Sequence, residues 1–341
     1  MKKIILLFYL FNIIQLNAQE INSMLTKKKP CFEKAQAKKG QRFIEWECGK
    51  IPGIIDCNEK LDLDPGNSIV YSKGSGAPYT GMCETCHING IIERRVTFVN
   101  GRENGIDTAY YQSGCPMVIR NHIQGAENGT WTYFYDSTQF LAWEMNYFAG
   151  QKHGKHIYFT KKGDTTLWEN YSYDVLDGIK RTYYSKSRKH QEISYKKGIL
   201  EGQHLIYNKE GVVIEKVNYK AGKKEGEATY FYDDGKLLRT ENWSKGVKNG
   251  EFKSFYYQGF VESIESYQKG IKNGRFEEYF YDQKIKRKAV YKDNILIFEQ
   301  IYDEQGILKS SIGVQDNKGK EDDKLPEDKK KKKKEKFVKR S

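Results

Sequence analysis

The sequence predicts an all-β protein, an elongated antiparallel meander of tandem β-hairpins with a small cysteine-containing N-terminal cap and a disordered basic tail. Three observations lead to this fold class. A 24-residue pattern recurs along residues 79–314, each repeat holds two short stretches rich in aromatic and β-branched residues, and glycine-containing turns separate them. A lone hairpin is marginal in water, so we expect the hairpins to stack into one twisted open sheet.

Residues 1–18 are predicted to be a signal peptide. Lys2 and Lys3 precede an apolar run, and the small residue Ala18 stands just before Gln19, where we expect cleavage. The apolar run is short for a membrane span, and a retained membrane anchor is the alternative interpretation. The mature protein is therefore expected to begin at Gln19 and to be exported, to the periplasm or the extracellular space.

The cysteines are confined to the first third of the chain, and their number is even. In an exported protein this favours disulfide bonds, although the spacing alone leaves the pairing open. The candidates are Cys31, Cys48, Cys57, Cys83, Cys86 and Cys115. The first three belong to residues 19–78, which lack the repeat and are predicted to form the cap.

Each repeat begins at a glycine, the first at Gly81 and the ninth at Gly274, with steps of 24 residues and one of 25. If this glycine is counted as zero, a second glycine usually stands at position +20, where Asp174 and Asn294 replace it in two repeats. Aspartate and asparagine tolerate a left-handed backbone best after glycine, so position +20 is predicted to have a positive φ in a tight turn. The predicted turn glycines are Gly101, Gly125, Gly150, Gly198, Gly222, Gly246 and Gly270.

Aromatic residues recur at positions +5 and +17 of the repeats, and a third turn lies near position +9. Asn-Gly and Asp-Gly steps between apolar runs are strong hairpin signals. Stacked hairpins should align the aromatic side chains into two rows that cross the sheet, with each ring packed on its neighbours. The zero glycine is expected to lie beside a ring that shields its backbone.

A Gly-x-x-x-Gly turn, an adjacent pair of aromatic residues and a second aromatic in every repeat resemble the MORN-repeat variant group, as in "NYKAGKKEGEATYFYDDGKLLRTENW". That group includes YwqK-type antitoxins of toxin–antitoxin systems, and the resemblance covers about residues 79–300. It implies a recognition scaffold without a shared active site, associated in the wider family with membrane lipids or partner proteins. The antitoxin name implies binding and neutralisation of a toxin partner.

The segment Cys83-Glu-Thr-Cys86-His87 has the spacing of covalent haem attachment, so a c-type haem protein is the alternative function. In the repeat register these residues lie on a strand, where residues three apart point to opposite faces. Their Cα atoms would be about 10 Å apart, which is too far for a mutual disulfide and unfavourable for haem attachment. Pairing of Cys115 with Cys83 is also disfavoured, because about three strands separate them. We therefore expect no cofactor, and we expect a cap cysteine (Cys31, Cys48 or Cys57) to bond to Cys83 or Cys86.

Two further motifs have weaker interpretations. The stretch Asp62-x-Asp64-x-Gly66 resembles part of a calcium loop, but an ordinary acidic turn fits better because the terminal glutamate is missing. His153 and His156 flank a turn, and without a third ligand they are interpreted as surface residues. No arrangement typical of a catalytic site stands out, so a non-enzymatic protein is predicted.

The net charge of +13 is concentrated at the C-terminus, where residues 318–341 contain 12 basic and 6 acidic residues. Such a block is typical of a solvated tail, here residues 315–341, and this tail could contact an anionic surface. The rest of the chain is only mildly basic, and export argues against a nucleic-acid partner. The sequence therefore predicts an exported scaffold that binds a protein or a cell-envelope component.

Overall fold

The computed structural model describes residues 48–136 and 138–313, so the signal peptide, Ala18, Gln19, Cys31 and the basic tail lie outside the described residues. The chain divides into two compact units, unit 1 (Met1–Val212) and unit 2 (Val213–Ser341). In the described part of the chain, no helix has the length and apolar character needed to cross a membrane.

Along the chain, the cap consists of a short strand, one helical turn and a two-stranded hairpin, and the first repeat follows the hairpin. Its elements are β1 (Ile55–Asp56), α1 (Cys57–Lys60), β2 (Leu61–Asp64) and β3 (Ile69–Ser72). Asp56 caps α1, because its side chain accepts hydrogen bonds from the backbone N–H groups of Asn58 and Glu59. β2 and β3 pair with each other, and β1 pairs in parallel with the first repeat strand. The cap thereby covers an edge that would otherwise be unpaired.

The remainder of unit 1 is an open antiparallel succession of hairpins in which strands pair with their neighbours in sequence. A short 3-10 turn at Ser185–Ser187 precedes the last hairpin. The strands are β4 (Gly81–Cys86), β5 (Ile92–Val99), β6 (Arg102–Glu103), β7 (Gly105–Tyr110), β8 (Pro116–Ile123), β9 (Ala126–Glu127), β10 (Gly129–Phe134), β11 (Leu141–Phe148), β12 (Gln151–Phe159), β13 (Thr165–Ser172), β14 (Val175–Leu176), β15 (Gly178–Tyr183), β16 (Lys189–Lys196) and β17 (Ile199–Tyr207).

Unit 2 repeats the same architecture, and the predicted fold class of tandem β-hairpins in an open sheet is confirmed. Its final strand, β28, has all five side chains exposed. The strands are β18 (Val213–Lys220), β19 (Lys223–Lys224), β20 (Gly226–Phe231), β21 (Leu237–Ser244), β22 (Val247–Lys248), β23 (Gly250–Phe255), β24 (Val261–Gln268), β25 (Ile271–Tyr279), β26 (Ile285–Lys292), β27 (Ile295–Tyr302) and β28 (Leu308–Ile312).

The turn at positions +19 and +20 places two consecutive residues in the left-handed region. Lys245 has a φ of 50° and Gly246 a φ of 83°, and Asp174 and Asn294 have values of 66° and 69° where they replace the glycine. Two left-handed residues between paired strands form a type I′ turn, whose twist matches that of the strands. The predicted positive φ at +20 agrees with the structure. The left-handed residue at +19 was not predicted, because alanine, lysine, glutamine or tyrosine occupies that position in seven of the nine repeats and only Asn100 and Asp293 are of a type that favours it.

Each of these turns, called the I′ turns below, is also bonded to the preceding hairpin. The backbone N–H of Gly246 donates to the carbonyl of Lys224 at 2.9 Å. Equivalent bonds join Gly125 to Glu103, Gly150 to Glu127, Gly198 to Leu176 and Gly270 to Lys248. The glycine therefore gives the turn its conformation and supplies a donor that fixes neighbouring hairpins in register.

The turn at the other end of most hairpins has three residues, and its last residue is left-handed. In the repeat that begins at Gly226, the N–H of Tyr232 donates to the carbonyl of Lys236 at 2.8 Å, and the N–H of Gly235 donates to Tyr232 at 2.9 Å. Gly235 has a φ of 86°. This arrangement is a type I turn followed by a glycine bulge, the commonest three-residue hairpin connection.

A tyrosine at position +6 joins each of several hairpins to the next through its hydroxyl group. Tyr232 donates to the carbonyl of Phe255 at 3.0 Å, and Tyr256 donates to that of Tyr279 at 2.8 Å. In unit 1 the same bond links Tyr111 to Phe134, Tyr135 to Phe159 and Tyr184 to Tyr207. These bonds are additional to the strand ladders, so they stabilise the stacking of the repeats.

The aromatic packing differs in one respect from the two rows expected at +5 and +17. Rings at +17 alternate with side chains at +2, so that one continuous row crosses unit 2 with centroid separations of 5.6, 5.2, 5.6 and 4.7 Å. Its members are Trp243, Phe252, Tyr267, Phe276 and Tyr291. Phe252 and Phe276 are buried, whereas the aromatic residues at +5 in unit 2, such as Phe231, are half-buried. Positions +2 and +17 share a face of the sheet, which the spacing of the aromatics alone did not show.

The zero glycines pair directly with the +17 aromatic residues, as the expected ring shielding requires. Gly250 lies opposite Tyr267 and has a φ of 115°. A Cβ atom at Gly250 would lie 3.0 Å from the Cβ of Asn242. Asn242 also donates to the carbonyl of Glu251 at 2.6 Å, so glycine permits a close approach that this side-chain bond depends on.

We predict that Gly246→Val lowers the free energy of unfolding by about 1–3 kcal/mol, because a β-branched residue is strained at positive φ. Urea unfolding measures the change. The matched control is Lys223→Ala at an exposed position beside the same turn, for which a change within about 0.5 kcal/mol is expected. Equal losses in the two variants would contradict the assigned turn.

Candidate functional site

The two cysteines of the haem-like motif are each bonded to a cysteine of the cap. Cys83, buried on β4, bonds to Cys57 at the start of α1, and Cys86, at the end of β4, bonds to Cys48. This agrees with the expected link between cap and first hairpin, and it leaves neither sulfur free to attach haem. Among the cysteines that the structure describes, Cys115 is the one that forms no disulfide, and it is buried. The two disulfides are compatible with an exported protein.

The histidine of the same motif occupies position +6, where other repeats have the hydroxyl-donating tyrosine. The Nε2 atom of His87 lies 2.9 Å from the carbonyl oxygen of Tyr110 on the next hairpin. This contact joins the same pair of positions as the tyrosine bonds. The Cys-x-x-Cys-His spacing thus follows from two disulfides and a substituted repeat tyrosine, and the geometry favours this interpretation over haem attachment.

A buried carboxylate lies next to the disulfides. Glu84 on β4 is 1% exposed, and its Oε1 atom accepts a hydrogen bond from Nε of Arg95 at 2.8 Å. Its other oxygen accepts from the backbone N–H of Gly49 at 3.2 Å. The guanidinium group neutralises the buried charge, and the bond to Gly49 holds the segment that carries Cys48 against the first hairpin.

The second hairpin contains a cluster of charged residues around Asp107. Arg94 donates to both carboxylate oxygens of Asp107, at 2.9 and 3.0 Å, and Arg120 forms a second ion pair with Asp107. Arg94 also pairs with Glu103, whose other oxygen lies 3.3 Å from Nε2 of His122. Potential metal-ligand atoms of Glu103, Asp107 and His122 all lie within 4.8 Å of one another. Because two guanidinium groups already neutralise the two carboxylates, the arrangement is that of an ion-pair network.

Burial and neighbouring charges shift the pKa values in this network. Burial alone would lower the pKa of Arg94, but the hydrogen bonds and charges of Asp107 and Glu103 outweigh it and raise that pKa. Burial lowers the pKa of His122, opposed by Glu103 and Asp107 and reinforced by Arg120 and Arg94. His122 is therefore a neutral ring near pH 7, and Arg94 stays charged.

The interpretation of His156 as a surface residue is wrong. His156 has no exposed surface. It belongs to the ring row of unit 1, the equivalent there of the aromatic row in unit 2, and its ring centroid lies 5.5 Å from that of Tyr147 and 4.8 Å from that of Tyr171. Its Nε2 atom lies 2.8 Å from the carbonyl oxygen of Asn146, and burial lowers its pKa. His153 is half-buried beside Tyr173, and it does not form a set of metal ligands with His156. Position +2 faces the ring row, which explains the burial of His156.

The acidic turn after β2 has the local geometry of an ordinary loop. One Asp64 side-chain oxygen accepts a hydrogen bond from the backbone N–H of Gly66 at 2.8 Å, and Asp62 lies 3.8 Å from the Lys73 ammonium group. Asp64 thus stabilises its own turn, as aspartate commonly does. This agrees with the interpretation preferred over a calcium loop.

Unit 2 has a shallow depression of about 320 Å³ lined mainly by charged side chains of β24, β25 and β26. Glu278 pairs with Arg287 at 3.3 Å, and the hydroxyl of Tyr279 donates to Glu277 at 2.8 Å. Burial, followed by the bond to Glu277, raises the pKa of Tyr279 to about 12. These groups are engaged with one another, and no nucleophile with an adjacent base is found among them.

The ion-pair network was missed at the level of sequence, although a signal for it exists. Asp107 stands at +2 and Arg120 at +15 of one repeat, and these positions are directly opposite in the sheet. Once the hairpin register is known, opposite charges at paired positions predict a cross-strand ion pair. The additional contribution of Arg94 comes from the preceding hairpin and needs the stacking as well.

No protein-family profile and no curated protein sequence matches this chain. Among solved structures, a complex of TcdB2 and TccC3 aligns with 11% identity over 64% of this chain and 16% of that chain, with a TM-score of 0.14. A Tc holotoxin pore from Photorhabdus luminescens aligns with 10% identity over 74% and 16%, also with a TM-score of 0.14. This chain thus spans about one sixth of those proteins, and at these TM-scores the matches carry no argument about its function.

We predict that His87→Tyr preserves stability and that His87→Ala lowers the free energy of unfolding by about 1 kcal/mol, the value of one net hydrogen bond. Tyrosine fills the equivalent place in other repeats and donates to the same carbonyl position. Denaturant unfolding of the oxidised protein measures both. Equal destabilisation by the two substitutions would contradict the assigned role.

Acidification from about pH 7.5 to about pH 5 is predicted to lower the free energy of unfolding. His122 and His156 have folded-state pKa values below the usual 6.5, so below that pH the unfolded chain binds more protons. The stabilisation is complete above pH 6.5 and is lost as the pH falls through the lowered folded-state values, by at most about 1.4 kcal/mol per pH unit per histidine. His156→Gln should flatten the pH profile measured by urea unfolding, and an unchanged slope would contradict this role.

Proposed function

We propose that the protein is an exported, non-enzymatic scaffold that binds a protein or a cell-envelope component. The proposal rests on one observation about the described residues. The motif cysteines, the buried histidines and the buried carboxylates, which could otherwise have chemical roles, make contacts that stabilise the fold. Both sulfurs of the haem-like motif are in disulfides, and His87 contacts the Tyr110 carbonyl. Two further histidines belong to the ring row, and the buried carboxylates accept bonds from arginine or tyrosine.

The regular surface formed by the repeated hairpins supports the same proposal. Equivalent side chains recur on alternate strands, about 10 Å apart, so a regular surface is presented along each unit. Repeat proteins commonly use such surfaces to bind extended partners. The predicted signal peptide, with cleavage between Ala18 and Gln19, belongs to the proposal, and the two disulfides are compatible with it. The neutralisation of a toxin stays a prediction of the family resemblance.

Two measurements test the scaffold proposal. The purified native protein should show no haem absorption band, and a haem band would contradict the disulfide assignment and the proposal together. Immobilised mature protein, residues 19–341, should retain a discrete component from envelope fractions, and a chain that ends at residue 317 should retain it as well. Loss of retention on removal of the tail would place binding in the tail, and failure of both chains to retain any component would contradict the proposal.

A further inference from the structure

Unit 2 has one strongly basic end. The strand ends and I′ turns at residues 218–226, 242–250, 266–274 and 290–298 contain eight lysines and two acidic residues, a net charge of +6. These lysines, called the lysine edge, are Lys220, Lys223, Lys224, Lys245, Lys248, Lys269, Lys272 and Lys292. The three-residue turns at the other end, residues 231–237, 255–261, 279–285 and 302–308, contain two lysines and five acidic residues, a net charge of −3.

The lysine edge lacks the carboxylate partners that several lysines have elsewhere in unit 2. Toward the opposite ends of the strands, Lys236 pairs with Asp234 at 3.3 Å, and Lys284 pairs with Asp282 at 2.8 Å. Within the described residues, no carboxylate oxygen lies within 4.0 Å of any ammonium group of the lysine edge. The positive charge at this end is therefore not neutralised within the described part of the chain.

Three of these lysines are held in place against the ring row. Lys224 lies 4.8 Å from the Trp243 ring centroid, Lys248 lies 4.4 Å from that of Tyr267, and Lys272 lies 4.9 Å from that of Tyr291. They occupy position +22 of successive repeats. Each is paired in the sheet with the +17 aromatic residue of its own repeat and lies against the +17 ring of the next repeat. Equivalent lysines on alternate strands are about 10 Å apart, so the three charges lie in a line at regular intervals.

We propose that the lysine edge binds a linear acidic polysaccharide, an inference that rests on the scaffold function and specifies its partner. A polymer that carries carboxylates at regular intervals matches a single line of uncompensated cations, whereas a membrane presents a plane of charge. The half-buried rings beside Lys224, Lys248 and Lys272 fix the spacing of these three charges. Export makes an envelope polysaccharide accessible to this edge.

The test compares two full-length variants that each lose four positive charges. The edge variant carries Lys220→Gln, Lys223→Gln, Lys245→Asn and Lys269→Asn, with asparagine used where the native φ is near 50°. These four lysines are exposed and make no contact with the ring row. The control variant carries Lys236→Gln, Lys284→Gln, Lys286→Gln and Lys309→Gln, which lie toward the opposite ends of the strands. Circular dichroism and thermal unfolding establish that both variants fold.

Binding to fluorescently labelled polygalacturonate is measured by anisotropy, with neutral dextran as the uncharged probe. The native protein should bind polygalacturonate, with affinity that falls as salt rises, and should not bind dextran. The edge variant should bind about tenfold more weakly, and the control variant within about twofold of the native protein. All three proteins carry the same basic tail, so its contribution is constant.

Four results would overturn the inference. Equal weakening in the two variants would show a response to net charge alone. If the edge substitutions weakened binding to phosphatidylglycerol vesicles or duplex DNA as much as binding to polygalacturonate, at matched concentrations of negative charge, selection of a polysaccharide by the edge would be excluded. Absence of polygalacturonate binding, while the immobilised protein still retains an envelope component, would reject the polysaccharide and leave the scaffold function intact. Absence of both would reject the scaffold function as well.

Discussion

The type I′ turn is the constraint on which the rest of the structure depends. Two consecutive left-handed residues reverse the chain within two positions, so the pairing of the flanking strands is set without any longer loop. That pairing places +17 opposite +22 and opposite the zero glycine of its own repeat. The ring row, the lysines that lie against it and the close approach at Gly250 all follow from this register. A shift of the strand pairing by one residue would turn each of these side chains to the other face of the sheet.

The positions of residues within the repeat also explain why the cysteines and the histidine of the haem-like motif have structural roles. Cys86 stands at a position that other repeats fill with an aromatic ring, and His87 stands where they have tyrosine. At the start of the array there is no preceding hairpin, and the cap takes its place through β1 and two disulfides. The same positions that stack one repeat on another are thus used to attach the cap. A motif search that ignores the repeat positions assigns this segment to haem.

Much of the fold could be predicted from the sequence, because the features involved are local and repeated nine times. Replacement of glycine by Asp174 and Asn294 was enough to assign a left-handed backbone, and alternate faces were enough to separate Cys83 from Cys86. The left-handed state of Lys245 left no trace in residue type, because the turn imposes it against local preference. Interactions between hairpins were harder to predict. The burial of His156 and the bonding of Arg94 to the following hairpin depend on which positions share a face after stacking, and one repeat alone does not define that.

The buried thiol of Cys115 has a consequence for the lasting integrity of the cap. A thiolate that reaches a disulfide can exchange with it and leave the wrong cysteines joined. Cys115 is 6% exposed and belongs to the same unit as both disulfides, so its burial in the folded hairpin keeps a potential attacking group from solvent. Local opening of that hairpin would release the thiol and permit scrambling. Close packing around one cysteine therefore preserves the covalent connectivity of four others.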